Sequence, residues 1–411
     1  MTEENAGNLL AIQTGQSTSA TNAILSGIVS EALNHEDIEE IYGAHFGFEG
    51  LLKEQLIDLA EESQQAIRGM RYTPHAALGT SLRLLESQGD LDRAVEVLKV
   101  HRIQYLVGIA DTQTIPSFKA LAEAAEQSGH KLYVILIPHS SDNSVPVTDH
   151  SCGYGSACKT IASRVKQLSL KLQEQTGSKR VAIMEIQDTN SGWLVAGSSL
   201  AKSRNRPEDP PHLLFFPEIP FSHQEALSEM EATLKKQSYL TIVCSQSLFD
   251  TEGNVLGGGN DPQVESAGAY LQYHIHNQFG IQPTRHLISP EDRINGQCLS
   301  EYDIEEAMRA GREATQAVVK EKSGKMLTMM NAENDTDAGK SVFTDFKDIP
   351  DESKQLPREW IHENGTSLRH QFVKYAQRFI EGEIHPPHEN GLPQFISLHH
   401  HRVKRELETM R

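Results

Sequence analysis

The sequence predicts a doubly wound α/β protein, and three observations carry that prediction. Short runs that are apolar on both faces recur at residues 9–13, 105–109, 132–137, 181–186, 212–216, 239–244 and 325–329. Strands of that kind belong to parallel sheets covered on both sides. Stretches with helical spacing separate them, as at 20–33 and 116–127, and strand–helix alternation builds βαβ units. The loops that follow the strands are small and polar, and in this class ligands bind beyond the carboxyl ends of the strands.

The elements follow in order. Run 9–13 leads into loop 14–22, T-G-Q-S-T-S-A-T-N, whose small residues suit N–H groups turned toward a phosphate. Run 105–109 is followed by Asp111 and by a helix opening at Pro116, where a proline ring suits the first turn. Run 132–137 stops at Pro138, because proline cannot continue a central ladder. The loops 137–144, I-P-H-S-S-D-N-S, and 186–193, I-Q-D-T-N-S-G-W, close the next two candidate site segments. Residues 203–211, rich in proline and charge, and residues 331–355, acidic and polar, read as loops or insertions. An amphipathic helix is expected over 367–380. The L-H-H-H of 398–401 lies in a polar tail beside Arg402 and Lys404 and reads as an exposed patch rather than a metal site.

Composition narrows the function. A chain of 411 residues suits one large or two medium α/β domains. Lys and Arg total 38 against 56 Asp and Glu, a net charge of −18. That field repels phosphodiester backbones, so no nucleic-acid partner is expected, and a site for an anionic metabolite must gather arginines, helix N-termini or a metal locally. No run of about 18 apolar residues occurs, which excludes a membrane-spanning helix. The opening MTEENAGNLL lacks the basic and long apolar regions of a secretory leader. The four cysteines form no C-x-x-C pair, so a reducing cytoplasm is expected.

Taken in order, the loops resemble those of the phosphofructokinase family, in its pyrophosphate-dependent branch (diphosphate–fructose-6-phosphate 1-phosphotransferase). Loop 14–22 is similar to S-G-G-P-T-x-x-x-N. Residues 41–50, I-Y-G-A-H-F-G-F-E-G, are similar to I-Y-G-x-x-x-G-x-x-G. Residues 148–150, T-D-H, with 153–157, G-Y-G-S-A, are similar to T-D-H-x-x-G-F-G-S-A. Residues 216–221, F-P-E-I-P-F, are similar to I-P-E-x-P-F. The stretch from 356–361, L-P-R-E-W-I, to 379–383, F-I-E-G-E, resembles the branch's C-terminal segment, so the likeness spans nearly the whole chain.

The resemblance implies two doubly wound, Rossmann-like domains of the phosphofructokinase fold with discontinuous boundaries. A phosphoryl-donor domain would hold 1–154 and 292–322, and a sugar-phosphate domain 155–291 and 323–411. It implies transfer of a phosphoryl group from pyrophosphate, assisted by Mg²⁺, to fructose 6-phosphate. Asp142 takes the base position of T-I-D-N-D and would accept the sugar hydroxyl's proton. Ser-Asp-Asn-Ser is also good turn chemistry, so base and turn aspartate both stand.

The family's lysine before that aspartate is His139 here, a partial substitute only as the imidazolium. The second aspartate is Ser144. In the donor loops Gly15 and Gly108 match the family's glycines, and Asp111 matches its second acidic residue. Gln16 replaces a glycine, Ala110 the metal-binding acid, Leu82 an arginine (with Arg83 one step late) and Thr189 another arginine. On the sugar side Arg180, Arg285 and Arg293 match phosphate arginines and Glu218 a sugar-hydroxyl carboxylate. Arg180 also reads as a solvated turn, and Arg293, beside Glu291 and Asp292, as a surface ion pair. Removing one positioned donor costs roughly two to three orders of magnitude in rate. The expected protein is therefore a weak or inactive member that still binds a sugar phosphate and acts as the regulatory partner of an active paralogue. The alternative is an active pyrophosphate-dependent 6-phosphofructokinase of glycolysis. A homo-oligomer, dimer or tetramer, is expected either way, because the family's phosphate arginines reach across a two-fold interface.

Overall fold

A computed structural model describes residues 6–174, 177–203, 206, 208–257, 265–330 and 340–408. The chain divides into two units, one of Met1–Tyr154, Asn295–Ser353 and Gly382–Arg411, the other of Gly155–Ile294 and Lys354–Glu381. The strands are β1 (Gly7–Gln13), β2 (Ile38–Ala44), β3 (Leu56–Asp58), β4 (Ile103–Ala110), β5 (Tyr133–Pro138), β6 (Arg180–Ile186), β7 (Leu213–Phe215), β8 (Tyr239–Ser245), β9 (Thr284–Ile288), β10 (Leu299–Ser300), β11 (Lys325–Met329) and β12 (Ser341–Asp345), followed by short pairings in the tail.

The first unit is built on a seven-stranded sheet of order β12-β11-β5-β4-β1-β2-β3. Its central strands are parallel, and β3 and β12 run antiparallel at the edges. The alternation of side chains along β1 sorts its core. Leu9 and Ala11 face one apolar layer with Val107, Ile109, Ile135 and Ile137. Leu10 and Ile12 face the other with Leu106, Val134 and Leu136. Each fully buried side chain of this size contributes roughly 1.5–3 kcal/mol, which is why the sheet forms as a two-faced core.

Helix Thr21–Ala32 lies against helix Glu301–Val319 on one face. Two glycines permit the approach. A Cβ on Gly27 would sit 2.2 Å from the Met308 carbonyl oxygen, and one on Gly311 would sit 2.3 Å from that of Ile24. This contact seats the helix that leaves loop 14–22.

The second unit carries a four-stranded parallel sheet of order β7-β8-β6-β9. Its core gathers Val181, Ile183, Leu240, Ile242 and Leu271. Serine side chains start two of its flanking helices. Ser222 accepts from Glu225 N and Ser266 from Ala269 N, each satisfying an N–H that the first turn leaves open.

The structure differs from the sequence reading in several places. β11 pairs with β5 and β12, so residues 323–353 and 382–411, expected in the sugar-phosphate domain, belong to the first unit. Residues 292–294, expected in the donor domain, belong to the second. Ser341–Asp345 is an edge strand inside the stretch read as a loop; 331–339 lie outside the described residues. The helix expected over 367–380 begins at His370, with a 3₁₀ turn at Gln377–Ile380. Within 203–211, residues 204, 205 and 207 lie outside the described residues. No helix among the described residues is long and apolar enough to cross a membrane.

Candidate functional site

Loops 14–22, 110–114 and 139–144 follow β1, β4 and β5, which are neighbours in the first sheet, so they lie side by side at its carboxyl edge. They are tied together. Thr14 Oγ1 bonds the Ile109 carbonyl and Thr114 Oγ1, both at 2.9 Å. His139 N donates to Ala110 O at 2.9 Å. Thr112 Oγ1 donates to Ser144 O at 3.1 Å.

Asp142 is half-buried at the head of the third loop. Its Oδ1 accepts from Ser140 Oγ and, at 3.1 Å, from Ser144 N. Asn143 has φ +57° and uses its side-chain oxygen to accept from Ser151 N. The turn reading of Asp142 is met by these bonds. Oδ1 closes the turn, while no hydrogen bond engages Oδ2 among the described residues.

His139 corrects the sequence reading. It is 0% exposed, and its Nε2 sits 2.6 Å from Thr21 Oγ1, at the start of the first helix. Nδ1 has no hydrogen-bond partner among the described residues. Desolvation lowers its pKa to about 4, so it is neutral at pH 7 and supplies no cation.

The donor-loop residues separate into two kinds. Gly15 has φ +73°, and a Cβ there would meet the Asp111 carboxylate at 2.0 Å. Asp111 accepts from Thr114 N, Thr114 Oγ1 and Gln113 N at 3.0–3.1 Å, and from the Gln16 backbone. Burial raises its pKa against those bonds. The chain's own carboxylate thus takes an N–H of the first loop. Gly108 does other work: a Cβ there would strike Leu136 and Phe118 at 2.6 Å, so it serves core packing rather than a phosphate. Ala110 is fully buried. Leu82 is 74% exposed, and Arg83 forks onto Asp90 at 2.8 and 2.9 Å, which removes it as a replacement cation.

Sequence reasoning missed the support behind the T-D-H loop. His150 is buried, with Nε2 on Glu306 and Nδ1 3.2 Å from Asp149. Desolvation pulls its pKa down, but Glu306 and Asp149 outweigh it and hold the ring charged, at about 9. Asp303, one turn before Glu306 on helix Glu301–Val319, accepts from Gly153 N at 2.8 Å. The available signal was two acids spaced three apart on an apolar helix face.

In the second unit the proposed sugar-side residues do not form one group. Ile183 of β6 is in register with Arg285 of β9. Arg285 therefore shares the face of Ile183 and Glu185, while Arg180 points with Ala182 and Met184 to the opposite face. Arg285 is already occupied. It bonds Ser266 Oγ at 3.0 Å and Glu265 at 2.8 Å, and lies 3.5 Å from the fully buried Glu185. Arg180 instead opens on a cavity of about 600 Å³ that also includes Lys171, Lys179, Phe279, Thr284 and His286. Arg293 is 1% exposed, so the surface ion pair does not hold.

Glu218 anchors backbone. Its Oε1 accepts from Gly192 N at 2.8 Å and Leu356 N at 3.0 Å, and desolvation raises its pKa. Thr189 is buried and turns its hydroxyl onto Ser191 O. Trp193 is core, edge-on to Trp360.

Two units with parallel sheets, and small-residue loops anchored at the carboxyl edge of the first, place the chain in the doubly wound α/β class, whose ligands bind beyond the carboxyl ends of the strands. The sequence profile of the family described as Phosphofructokinase matches residues 8–318. A pyrophosphate–fructose 6-phosphate 1-phosphotransferase of Halomonas elongata is 30% identical over 97% of this chain and 98% of its own. The crystal structure of a pyrophosphate-dependent phosphofructokinase from Nitrosospira multiformis superposes with a TM-score of 0.90 at 26% identity, covering 98% of this chain and 99% of that one. One from Marinobacter aquaeolei gives 0.87 at 26%, with the same coverage. The chain belongs to the phosphofructokinase family.

Proposed function

We propose that this phosphofructokinase-family protein binds fructose 6-phosphate or a similar sugar phosphate but transfers phosphoryl groups weakly or not at all, acting as regulatory partner of an active paralogue. The observation that carries this is His139. Where the family places a lysine, this chain holds a fully buried imidazole with a pKa of about 4. A neutral ring bonded to Thr21 gives no positive charge to a phosphoryl group in transfer.

The donor residues support the same reading. Leu82 and Arg83 offer no cation, and Asp111 competes with any phosphate for the first loop's N–H groups. The residues present do not fit Mg²⁺. Ala110 has no side-chain oxygen, Asp111 is engaged by N–H donors, and Asp142 Oδ1 is used by its own turn. No reaction step is therefore routed through the metal.

Sugar-phosphate binding rests on Arg180, whose Nε is buried without a hydrogen-bond partner among the described residues and which opens, with Lys171 and Lys179 but also Glu231, on a cavity otherwise lined largely by apolar side chains. A homo-oligomer, dimer or tetramer, completes the sugar site in this reading, in the cytoplasm. Residues 1–154, 295–353 and 382–411 would be the donor domain, and 155–294 with 354–381 the sugar-phosphate domain.

A second reading, an active pyrophosphate-dependent enzyme of glycolysis, is favoured by the full-length likeness to the Halomonas protein and by the open Oδ2 of Asp142. Calorimetric titration separates the two. Binding of fructose 6-phosphate with weak binding of pyrophosphate plus Mg²⁺, and very low turnover, supports the first. Brisk turnover with pyrophosphate establishes the second. Restoring the family's residues as His139→Lys, Ala110→Asp and Thr189→Arg should raise activity if the first holds.

A further inference from the structure

The tail of the first unit follows a path with a repeated purpose. Ile396 N donates to Thr73 Oγ1 at 2.9 Å, and the Ile396 side chain packs so closely on Gly69 that a Cβ there would meet it at 2.4 Å. His400 N donates to Glu62 at 3.0 Å, and its ring donates from Nε2 to Ala77 O at 3.1 Å. Residues 401–403 then lie on the free edge of β3. Asp58 N donates to His401 O at 2.7 Å and Val403 N to Leu56 O at 3.0 Å. This stretch covers an edge that would otherwise expose unpaired backbone.

The path ends at a buried carboxylate. Glu54, 2% exposed and at φ +54°, accepts from Glu406 N at 2.6 Å and Leu407 N at 3.1 Å, with His101 Nε2 at 2.8 Å on the same group. Arg93 adds a bond to the Glu408 carbonyl at 3.1 Å. Three partners converging on one buried acid make a costly arrangement for a mere surface tail.

The same residues that the tail grips also hold loop 14–22 from the other side. Asn22 Nδ2 donates to Thr73 O at 3.0 Å, and Asn22 Oδ1 accepts from Ala77 N at 2.6 Å. Leu78 N donates to Gln13 Oε1 at 3.1 Å, His75 N to Thr18 O at 3.2 Å, and Thr80 Oγ1 to Gly15 O. Residues 73–80 have no regular secondary structure; apart from these two sets of bonds they are held by the fully buried Leu78, whose carbonyl accepts from Phe46 N at 2.9 Å, and by local turn bonds.

We propose that residues 394–408 are a strap that sets the position of loop 14–22 by clamping segment 73–80, with Glu54 as its latch. Glu54 and His400 are positioning residues that act through segment 73–80.

Hydrogen exchange on the full-length protein tests it. In Glu54→Gln, peptides covering 401–408 should exchange at least tenfold faster, because an amide cannot accept both N–H groups as the carboxylate does. Peptides covering 73–80 and 14–22 should also speed up. In the milder His400→Ala, 73–80 and 14–22 should speed up while 404–408 stay as in wild type. Faster exchange confined to the tail in both variants overturns the strap. Unchanged exchange of 401–408 in Glu54→Gln overturns the latch.

Discussion

Replacing His139 with glutamine should abolish a specific part of the protein's acid sensitivity. Buried and neutral in the folded state at about pKa 4, the imidazole returns to about 6.5 when the chain unfolds. Between those values the unfolded state binds more protons, so stability falls as pH falls. The stabilising contribution is complete above about pH 6.5 and is lost as pH drops toward 4. At 1.36 kcal/mol per pKa unit, the full displacement corresponds to about 3 kcal/mol, most of it gone by about pH 4.5. Glutamine stays neutral throughout and can still bond Thr21. The variant should therefore differ little from wild type at pH 7 and exceed it by about 2–3 kcal/mol near pH 4.5. Urea unfolding followed by far-ultraviolet circular dichroism is the assay, because Trp193 and Trp360 both belong to the second unit and report poorly on the first. Parallel stability curves for the two proteins from pH 7 to 4.5 would show that His139 titrates normally, and the account of its neutrality would collapse.

The other predictions concern packing and charge. Gly27→Ala should destabilise the first unit by about 2–3 kcal/mol in thermal melts, because the added methyl meets the Met308 carbonyl at 2.2 Å and outweighs the gain of about 1 kcal/mol in helix propensity; an unchanged melting temperature would contradict the close helix contact. His150, raised to about 9, contributes stability that is complete below about pH 6.5 and is lost as pH rises toward 9. Glu306→Gln should lower stability by about 3 kcal/mol at pH 7 and flatten that alkaline loss, and denaturation at pH 7 and 9 that shows the wild-type slope would refute the pairing. Arg285→Ala should cost about 3 kcal/mol by leaving Glu185 buried without its cation, whereas Arg180→Ala should leave stability alone and weaken fructose 6-phosphate binding at least tenfold. Melting curves and calorimetry on the two variants decide this, and equal effects would mean the two arginines share one role.

The sequence carried the centre of the fold better than its edges. β1, β4, β5, β6 and β8 were legible because they are apolar on both faces. β2 was not read as a strand, since Glu39 and Glu40 stand exposed in its middle. The three residues of β3 are too few to show a period, and the half-exposed T-R-H-L-I of β9 shows none. S-V-F-T-D of β12 looks like loop because an edge strand needs no continuous apolar face.

The site followed the same division. Which loops hold Asp142, Asp111 and Gly15 was visible in their small residues. Whether His139 carries a charge depends on the enclosure around it, which no local pattern encodes. That Arg180 and Arg285 face opposite ways depends on a strand register set by partners a hundred residues away in the chain.

Glu218 reaches from the P-E-I-P segment to the amide of Leu356, and Leu214 N likewise donates to Thr366 O. Each of these bonds joins two stretches of chain with the whole of 295–353 between them. The second unit is therefore not a cassette. A gene fragment ending at residue 294 would leave the Glu218 carboxylate without its second backbone partner and β7 without a flank, so neither unit can be inherited, transplanted or expressed as a single uninterrupted piece. Recombination that replaced one unit would have to exchange its separated segments together, which leaves gradual substitution within loops as the easier route by which such a fold changes what it does.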